Sequence, residues 1–453
     1  MPEPAKNQPV AGWGRYPVQT CSEYRPEKLR SVGDILGERA QPNYIARGLG
    51  RSYGDTAINE GGGVITCLRL DRMLGFDEAT GILHCEAGVS FATIIDFFLP
   101  RGYFIPVTPG TKLITIGGAI ANDVHGKNHH RDGSFGHSLI EFDLLLPSGE
   151  TIVCSREQNA DIFWATVGGI GLTGVILTAK FRLRKVPSGF VTVDYLKTKD
   201  LDGVLSAIHE SDATYQYSMA WVDCLASGRS LGRSVLMRGN HIGPEGLPAA
   251  KRSDPFNMGG RFSPTLPIDF PQFALNPLSI RVFNMGVYTL SPGGLGVITD
   301  CDRYFFPLDS IHHWNRMYGK RGFVQYQVTV PTAEVQAIVE ILQAVAKSGK
   351  ASFLAVLKKF GKGNEGLLSH PIEGFTLTLD FAVNDRLAPF LRELDKTVLK
   401  HNGRLYLAKD AVMTPESFRA MYPRSEEYRA LRQRIDPDNL LSSSLSRRVG
   451  LTP

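Results

Sequence analysis

The sequence lacks paired cysteines, long apolar runs and a large excess of either charge. Its six cysteines lie far apart with no C-x-x-C, which favours reduced, buried thiols over a disulfide framework. No uninterrupted apolar stretch approaches the roughly 18 residues of a spanning helix, and no apolar export signal is visible near the first residue. We therefore expect a cytoplasmic protein. Fifty Lys and Arg against 45 Asp and Glu leave a net charge of +5, which is too small for a nucleic-acid binder but compatible with a phosphorylated substrate or an anionic membrane surface.

The 453 residues suffice for two or three domains, and 47 glycines and 27 prolines divide them into short segments. Up to about residue 185, alternating or apolar runs predict strands joined by tight turns, with a hairpin over 144–153. The strands predicted in this part are 43–47, 63–68, 82–86, 142–146 and 174–184, and the helices are 91–99, 115–121 and 160–167.

After residue 189, strands alternate with long helices, which predicts an antiparallel sheet with helices packed on one face. The strands predicted there are 214–222, 234–238, 322–330, 351–358 and 375–383, and the long helices are 332–348 and 384–401. Two aperiodic stretches, 239–277 and 361–371, are predicted to be mobile loops over a site, and the tail from 414 to form short helices that return to the first part. The fold class is therefore predicted to be α+β, with two domains.

Two matches to well-known motifs fail on their context. Gly50, Ser52 and Gly54 fit G-x-S-x-G, but the glycine-rich segment after them cannot form the helix of a nucleophile elbow. Residues 169–174 fit G-x-G-x-x-G, but a predicted helix precedes them and a strand follows, the reverse of a dinucleotide fingerprint. A serine hydrolase and a nicotinamide Rossmann domain are both disfavoured.

Four glycine-rich turns within one predicted domain, at 48–55, 109–111, 117–119 and 168–171, point to another kind of site. Glycine lets backbone N–H groups approach an anion closely, so converging loops of this kind suit a buried pyrophosphate, although each could be an ordinary turn. The segment 123–137 holds four of the eleven histidines. Glycines interrupt it and no distant ligand is indicated, so a wall beside a cofactor or phosphate, or solvated loop histidines, is favoured over a metal site.

Sequence stretches that span most of the chain identify a family. The run 46–55 (ARGLGRSYGD), then 109–111 and 116–130 (IGGAIANDVHGKNHH), resembles the PCMH-type FAD domain of the vanillyl-alcohol-oxidase superfamily. Within it the chain is most similar to the decaprenylphosphoryl-β-D-ribose 2′-oxidase family, and the likeness continues through 163–169, 314–319, 325–327 and 403–410 to 420–424. The resemblance implies an FAD domain over about 1–190, completed by 405–453, and a substrate domain over 191–404.

The resemblance also implies the cofactor and its contacts. Many superfamily members join a histidine covalently to the flavin, and Arg51 stands at that position here, so FAD is expected to be non-covalent, with no metal. The FAD-contacting positions implied are Ala46, Arg47, Gly48, Leu49, Gly50, Arg51, Ser52, Tyr53, Gly54, Asp55, Thr56, Gly110, Thr115, Ile116, Gly117, Gly118, Asn122, Asp123, Val124, His125, Ile176 and Tyr406.

The expected chemistry, hydride loss from a secondary alcohol, needs a group that takes the hydroxyl proton. Lys409 is the candidate, either as a base with a lowered pKa or as a charged group that polarises the sugar oxygen; a surface lysine is the alternative. Gln327 and His125 are the other catalytic candidates. The substrate-lining positions implied are Tyr53, Lys127, Trp221, Tyr318, Gln325, Gln327 and Lys409.

The implied reaction is oxidation of the C2′ hydroxyl of a polyprenyl-phosphoryl-β-D-ribose to the 2′-keto sugar, the first half of an epimerisation that an NAD(P)H-dependent short-chain reductase completes. Peripheral association with the inner face of the plasma membrane is expected. Two alternatives stay open, an aldonolactone or alditol oxidase that uses oxygen and a flavin-binding subunit that only docks a reductase. Mycobacterial members carry a cysteine where this chain has Thr378, and Thr376 also replaces the family's amide, so pocket lining need not carry over.

Overall fold

The computed structural model describes residues 5–271, 275–350, 352 and 354–453. Within these ranges the chain forms four β-sheets with helices on their faces, which confirms the predicted α+β class. No helix in the described part of the chain is both long enough and apolar enough to cross a membrane.

A four-stranded sheet opens the chain and positions the first glycine loop. Its strands are β1 Lys6–Ala11, β2 Val18–Tyr24, β3 Tyr44–Arg47 and β4 Gly63–Thr66, in the order β1-β2-β4-β3, and helix α1 is Leu29–Glu38. Strands β3 and β4 run parallel, so the chain leaves β3 in a long loop, and the first glycine-rich turn begins there. Val32, Ile35 and Leu36 of α1 are buried against this sheet. Strand β3 matches the prediction, whereas β1, β2 and α1 were not predicted.

A five-stranded antiparallel sheet follows. Its strands are β5 Met73–Asp77, β6 Ile82–Glu86, β8 Leu139–Leu145, β9 Thr151–Ser155 and β10 Val175–Arg182, in the order β5-β6-β10-β8-β9, while β7 Tyr103–Phe104 pairs with β11 Arg184–Lys185. The helices here are α2 Phe91–Phe98, α3 Ile116–Ala121, α4 His129–Asp132, α5 Phe135–Ser138 and α6 Ala160–Thr166. Strands β8 and β9 pair around the predicted 144–153 hairpin, which is confirmed.

The third large element is an eight-stranded antiparallel sheet. Its strands are β12 Phe190–Thr198, β13 Tyr217–Val222, β14 Ser234–His241, β15 Gly294–Asp300, β16 Phe323–Pro331, β17 Ala355–Phe360, β18 Gly374–Ala382 and β19 Arg404–Leu405, in the order β15-β12-β14-β13-β17-β18-β16-β19. The helices beside it are α7 Leu201–Ser211, α8 Ala249–Arg252, α9 Pro277–Leu290, α10 Cys301–Phe305, α11 Gln336–Ser348 and α12 Leu387–Lys400. Buried faces of α11 and α12 share a core cluster with β16 and β18, as the apolar periodicity predicted.

The tail forms α13 Pro415–Met421, α14 Ser425–Ile435 and α15 Ser444–Arg448, and it returns to the first sheet as predicted. The Tyr44 N–H donates to the Leu440 carbonyl at 2.7 Å, and the Arg448 guanidinium forms an ion pair with Asp55 at 2.8 Å. Residues at the C-terminus therefore fix the loop that follows β3.

The two stretches predicted to be mobile loops both contain ordered structure. The 361–371 prediction was wrong, because Leu368 and His370 are buried and Asn364 donates to the Asp123 carboxylate at 2.8 Å. The 239–277 stretch contains the end of β14 and helix α8, and its residues 272–274 lie outside the described part. The predicted strand 351–358 begins only at residue 355; Ala351 and Phe353 lie outside the described residues.

Candidate active site

A cavity of about 900 Å³ lies between the glycine loops and the eight-stranded sheet. One wall consists of the loop after β3, the loop before α3 and α3 itself. The opposite wall comes from β13, β16, β17, β18 and the segment after β19, and α9 contributes to the lining. The cavity therefore brings together residues more than 300 positions apart in sequence, such as Arg51 and Lys409.

The loop after β3 is built as an anion cradle. Among the described residues, the N–H groups of residues 49–52 have no hydrogen-bond acceptor within the protein. Gly50 has φ of 64°, a conformation that favours glycine, and a Cβ on Gly48 would overlap the Thr115 hydroxyl. Successive free N–H groups in a glycine-rich turn bind phosphate oxygens, so this loop fits the pyrophosphate of a dinucleotide.

Two side-chain atoms of the same cavity, one on His125 and one on Asn122, also lack a hydrogen-bond partner in the described residues. The Gln327 amide Nε2 lies 2.7 Å from His125 Nε2 and donates to it, which leaves the His125 proton on Nδ1. Burial lowers the pKa of His125 far below its usual value, so the ring is neutral. His125 Nδ1 and the Asn122 side-chain oxygen are buried without a partner in the described residues. A donor and an acceptor that both lack partners fit a polar aromatic ligand such as a flavin ring.

Lys409 lies in the opposite wall. Its Nζ is 3.8 Å from the centroid of the Tyr53 ring, and the Tyr53 N–H donates to the Ala408 carbonyl at 2.8 Å. Burial lowers the pKa of Lys409 from 10.5 to about 7, against the attraction of Asp380 and with the repulsion of Lys358. At neutral pH this amine can therefore take a proton or give one up. The alternative that Lys409 is a surface lysine does not fit this position.

Asp380 is a buried carboxyl group that acts electrostatically on Lys409. Its carboxylate accepts hydrogen bonds from Gln325 Nε2 at 2.6 Å and from the Tyr318 hydroxyl at 3.2 Å. Burial raises the pKa of Asp380 to about 7, although the Gln325 hydrogen bond and the Lys409 charge oppose the rise. Asp380 thus orients Gln325. It also interacts electrostatically with Lys409, and its own charge changes near neutral pH.

Two further lysines give the cavity positive potential. Lys127 is buried and donates to the Phe305 carbonyl at 2.7 Å, and burial lowers its pKa to about 7. Lys358 faces the same cavity, and burial lowers its pKa to about 8. The two amines disfavour each other's protonation, so an anion that binds beside them would raise both pKa values. This pair suits a phosphate group.

Sequence reasoning missed Lys358, although a signal exists. Val356 and Lys358 alternate along β17 and both face the cavity. The neighbouring Lys359 points elsewhere and forms an ion pair with Asp212. Two adjacent lysines look alike in sequence, and only the register of β17 separates them.

Most of the predicted site residues do line the cavity. They are Ala46, Arg47, Gly48, Leu49, Gly50, Arg51, Ser52, Tyr53, Thr56, Gly110, Thr115, Gly117, Gly118, Asn122, Val124, His125, Lys127, Ile176, Trp221, Gln325, Gln327, Tyr406 and Lys409. Thr378 lines it too, whereas Thr376 lies behind and accepts a hydrogen bond from Gln327 at 3.2 Å. The Tyr406 hydroxyl donates to the Asn122 carbonyl at 2.7 Å, so the segment after β19 reaches the end of α3 as predicted.

Five predicted residues lie outside the cavity lining: Gly54, Asp55, Ile116, Asp123 and Tyr318. Gly54 packs so closely on Asp410 that a Cβ would overlap the Asp410 carbonyl, and Asp55 binds Arg448. Ile116 is fully buried, and Asp123 accepts hydrogen bonds from Ser369 and Asn364. Tyr318 stacks on Phe323 at 4.1 Å. These side chains hold the lining in place, and direct ligand contact by these five residues stays a prediction.

The histidine run does not assemble a metal site in the described part of the chain, where no three His, Cys, Asp or Glu side chains converge as ligands. His129 packs on Phe360 at 4.4 Å, and His130 hydrogen-bonds to the Tyr215 carbonyl at 2.9 Å. The run therefore packs against β17 and the segment before β13, and of its four histidines His125 alone lines the cavity.

Comparison with known proteins agrees with this geometry. Residues 25–155 match the family model described as an FAD binding domain, and residues 374–449 match the D-arabinono-1,4-lactone oxidase model. Decaprenylphosphoryl-β-D-ribose oxidase of Mycolicibacterium smegmatis is 38% identical over 99% of this chain and 98% of its own length. An uncharacterized protein of Streptomyces coelicolor is 34% identical over 80% of this chain and 100% of its own length. Cytokinin dehydrogenase 2 of Arabidopsis thaliana is 28% identical over 38% of this chain and 35% of its own length.

The cradle and the unsatisfied polar atoms fit the ligand that these comparisons indicate. FAD is the cofactor, and the expectation of an FAD-dependent oxidoreductase is confirmed. The resemblance read from the glycine loops and from the lysine segment at 408–410 is confirmed over nearly the whole chain. This chain belongs to the decaprenylphosphoryl-β-D-ribose oxidase family.

Proposed function

We propose that the protein oxidises the C2′ hydroxyl of a polyprenyl-phosphoryl-β-D-ribose to the 2′-keto sugar, with FAD bound non-covalently. The observation that carries this proposal is the position of Lys409, a lysine with a pKa of about 7, in the cavity that Lys127 and Lys358 make positive. A lysine with a pKa near neutral can take the proton of an alcohol that is oxidised, and the positive charge of the cavity attracts a phosphate ester. The 38% identity to decaprenylphosphoryl-β-D-ribose oxidase over the full length supports the substrate class.

Bound FAD would supply the hydride acceptor. In this proposal neutral Lys409 accepts the proton of the C2′ hydroxyl, and Asp380 stabilises the ammonium that results. Gln327 and His125 orient the reacting sugar, because their side chains are already fixed to each other at 2.7 Å. Lys127 and Lys358 bind the phosphate and so place the ribose against Tyr53.

We propose that different parts of the chain bind FAD and the substrate. Residues 1–190, completed by 405–453, would hold FAD, and residues 191–404 would hold the substrate. The free N–H groups of residues 49–52 support the first assignment, and Gln325, Gln327 and Lys358 on the eight-stranded sheet support the second.

The keto product must be reduced on the opposite face for epimerisation, and we propose an NAD(P)H-dependent short-chain reductase as the partner that does so. A lipid-linked substrate also requires contact with a membrane, and we propose peripheral association at its cytoplasmic face. The net charge of +5 supports attraction to an anionic surface.

Anaerobic mixing of the purified flavoprotein with a polyprenyl-phosphoribose tests the proposal. We expect the oxidised flavin absorbance to disappear, and Lys409→Ala to abolish the loss while retaining bound flavin. Lys396→Ala is the matched control, since Lys396 is exposed and, within the part of the chain that the structure describes, pairs only with Glu393. Undiminished absorbance with every phosphoribosyl lipid would contradict the proposal.

The match of residues 374–449 to D-arabinono-1,4-lactone oxidase favours one second candidate, an oxygen-using oxidase of soluble lactones or alditols. That substrate carries no phosphate and would leave the charged forms of Lys127 and Lys358 without a substrate anion in the cavity, which is unfavourable. Flavin bleaching by a γ-lactone or xylitol, with none by the phosphoribosyl lipid, would establish this candidate instead. Reductase capture without flavin reduction by any sugar would indicate a docking subunit.

A further inference from the structure

Helix α9 carries four large, strongly exposed apolar residues. Leu278, Val282, Met285 and Leu290 are 73%, 59%, 56% and 83% exposed, and we call these four residues the outer face. Ordinary surface helices turn their apolar residues inward. An exposed apolar stripe on a single helix usually marks an interaction surface.

The inner side of α9 is held by polar contacts. Buried Asn284 donates to the Asp223 carboxylate at 2.7 Å, and the Tyr288 hydroxyl donates to the Thr198 carbonyl at 3.3 Å. The Lys197 amine donates to the Thr289 carbonyl at 2.9 Å. These contacts fix the rotation of the helix, so the outward direction of the outer face is built into the fold.

The sequence around α9 is almost free of charge. Between Asp269 and Asp300 the only Lys, Arg, His, Asp or Glu is Arg281, which is exposed on α9 itself. Lys197 lies beside the helix, 6.0 Å from the Tyr288 ring. Cations at the border of an apolar stripe, with no carboxylate in the segment, complement anionic lipid headgroups.

The same helix also forms part of the active-site cavity. Ile280 and Val287 line the cavity, together with Met219 and Met237 of the eight-stranded sheet. The helix thus has one side toward the catalytic cavity and the other toward the exterior. A lipid-linked substrate whose sugar reaches Lys409 must carry its hydrocarbon chain out of this cavity, and the apolar side chains along α9 offer the route.

We propose that the outer face of α9, with Leu295 at the start of β15, rests in the acyl-headgroup boundary of an anionic membrane and receives the substrate chain there. Leu295 is 76% exposed. This proposal rests on the proposed function for its substrate. It adds the surface through which the protein meets the membrane.

Vesicle co-sedimentation of the holoenzyme tests it, with phosphatidylcholine vesicles that contain one quarter phosphatidylglycerol. The double variant Val282→Asp with Met285→Asp should bind at least about tenfold more weakly, because it loses two inserted apolar groups and adds two anions. The matched control is Val18→Asp with Leu74→Asp. The original side chains lie on strands β2 and β5 and are 60% and 44% exposed. The control should bind vesicles like the unmodified protein.

Activity separates the surface from the catalytic site, because neither Val282 nor Met285 lines the cavity. With a short, water-soluble prenyl phosphoribose, the double variant should reduce its flavin at the unmodified rate; with the long-chain substrate in vesicles it should be at least about tenfold slower. Unchanged vesicle binding by the double variant would overturn the proposal. So would loss of reductase capture with vesicle binding intact, which would make α9 a protein interface. If vesicles bind through α9 but no phosphoribosyl lipid reduces the flavin, the surface stands and the proposed function fails.

Discussion

The sharpest prediction concerns the protonation of Lys409. If neutral Lys409 takes the hydroxyl proton, the rate of flavin reduction must follow the fraction of this amine that is unprotonated. With a pKa of about 7, that fraction is about one tenth at pH 6 and about nine tenths at pH 8. We therefore expect the rate to rise about tenfold across this interval and to level off above it.

Asp380 provides an internal test of the cause. Its charge favours the protonated form of Lys409, so Asp380→Asn should shift the midpoint of the profile to lower pH. The amide oxygen can still accept the hydrogen bond of Gln325, and the amide N–H can donate to the Tyr318 hydroxyl oxygen, which keeps the geometry. Lys409→Met should lower the rate by about 10² to 10⁴ and remove the pH dependence.

Anaerobic stopped-flow reduction at saturating substrate is the suitable assay, because it follows the chemical step without the electron acceptor. Lys396→Met, a change at an exposed lysine in α12, is the control and should keep the profile unchanged. A rate that falls from pH 6 to pH 8 would refute the base assignment and show that Lys409 acts as the charged group that polarises the sugar oxygen. A flat profile would refute titration of this residue altogether.

Three further predictions follow from the packing around the site. Arg448→Gln should lower stability by about 3–5 kcal/mol and weaken flavin retention, because it strands the buried carboxylates of Asp55 and Asp410; a melting curve should show no more than about 0.5 kcal/mol for Arg419→Gln at an exposed pair. Thr378→Cys should add one thiol to the cavity lining, so iodoacetamide should label the folded variant faster than the unmodified protein, whose six cysteines are all buried and include only Cys67 at the cavity. Acid precipitation should release all flavin into the supernatant, and yellow colour in the pellet would contradict non-covalent binding.

The local parts of the fold were predictable because they depend on short-range patterns. The β8–β9 hairpin follows from apolar runs on either side of a Pro-Ser-Gly turn, and α11 and α12 from apolar periodicity. Helix α9 was missed for a physical reason. Four of its apolar residues are exposed, whereas its polar Asn284 is buried and bonds to Asp223, so it lacks the one apolar face by which a surface helix is recognised.

The candidate site was predictable where a residue acts through its own backbone or through a specific motif. The glycine loop at 48–54 and Lys409 belong to this kind. Lys358 and Asp380 do not, because their contribution depends on the register of β17 and β18, which no short segment encodes. The prediction for 361–371 was wrong for a related reason. Its glycine-rich composition suggests mobility, whereas hydrogen bonds from Asn364 and Ser369 to the distant Asp123 fix it.

Arg448 shows how the distant segments become one site. Its guanidinium binds Asp55 with two hydrogen bonds of 2.8 Å and Asp410 at 2.8 Å, and it also donates to the Met413 carbonyl at 2.7 Å. Asp55 follows the anion cradle and Asp410 follows Lys409, so one side chain in the last helix sets the distance between the cofactor loop and the proposed base. Such a buried ion network costs desolvation and adds little net stability. Its benefit is geometric, because hydride and proton transfer require groups held within fractions of an ångström.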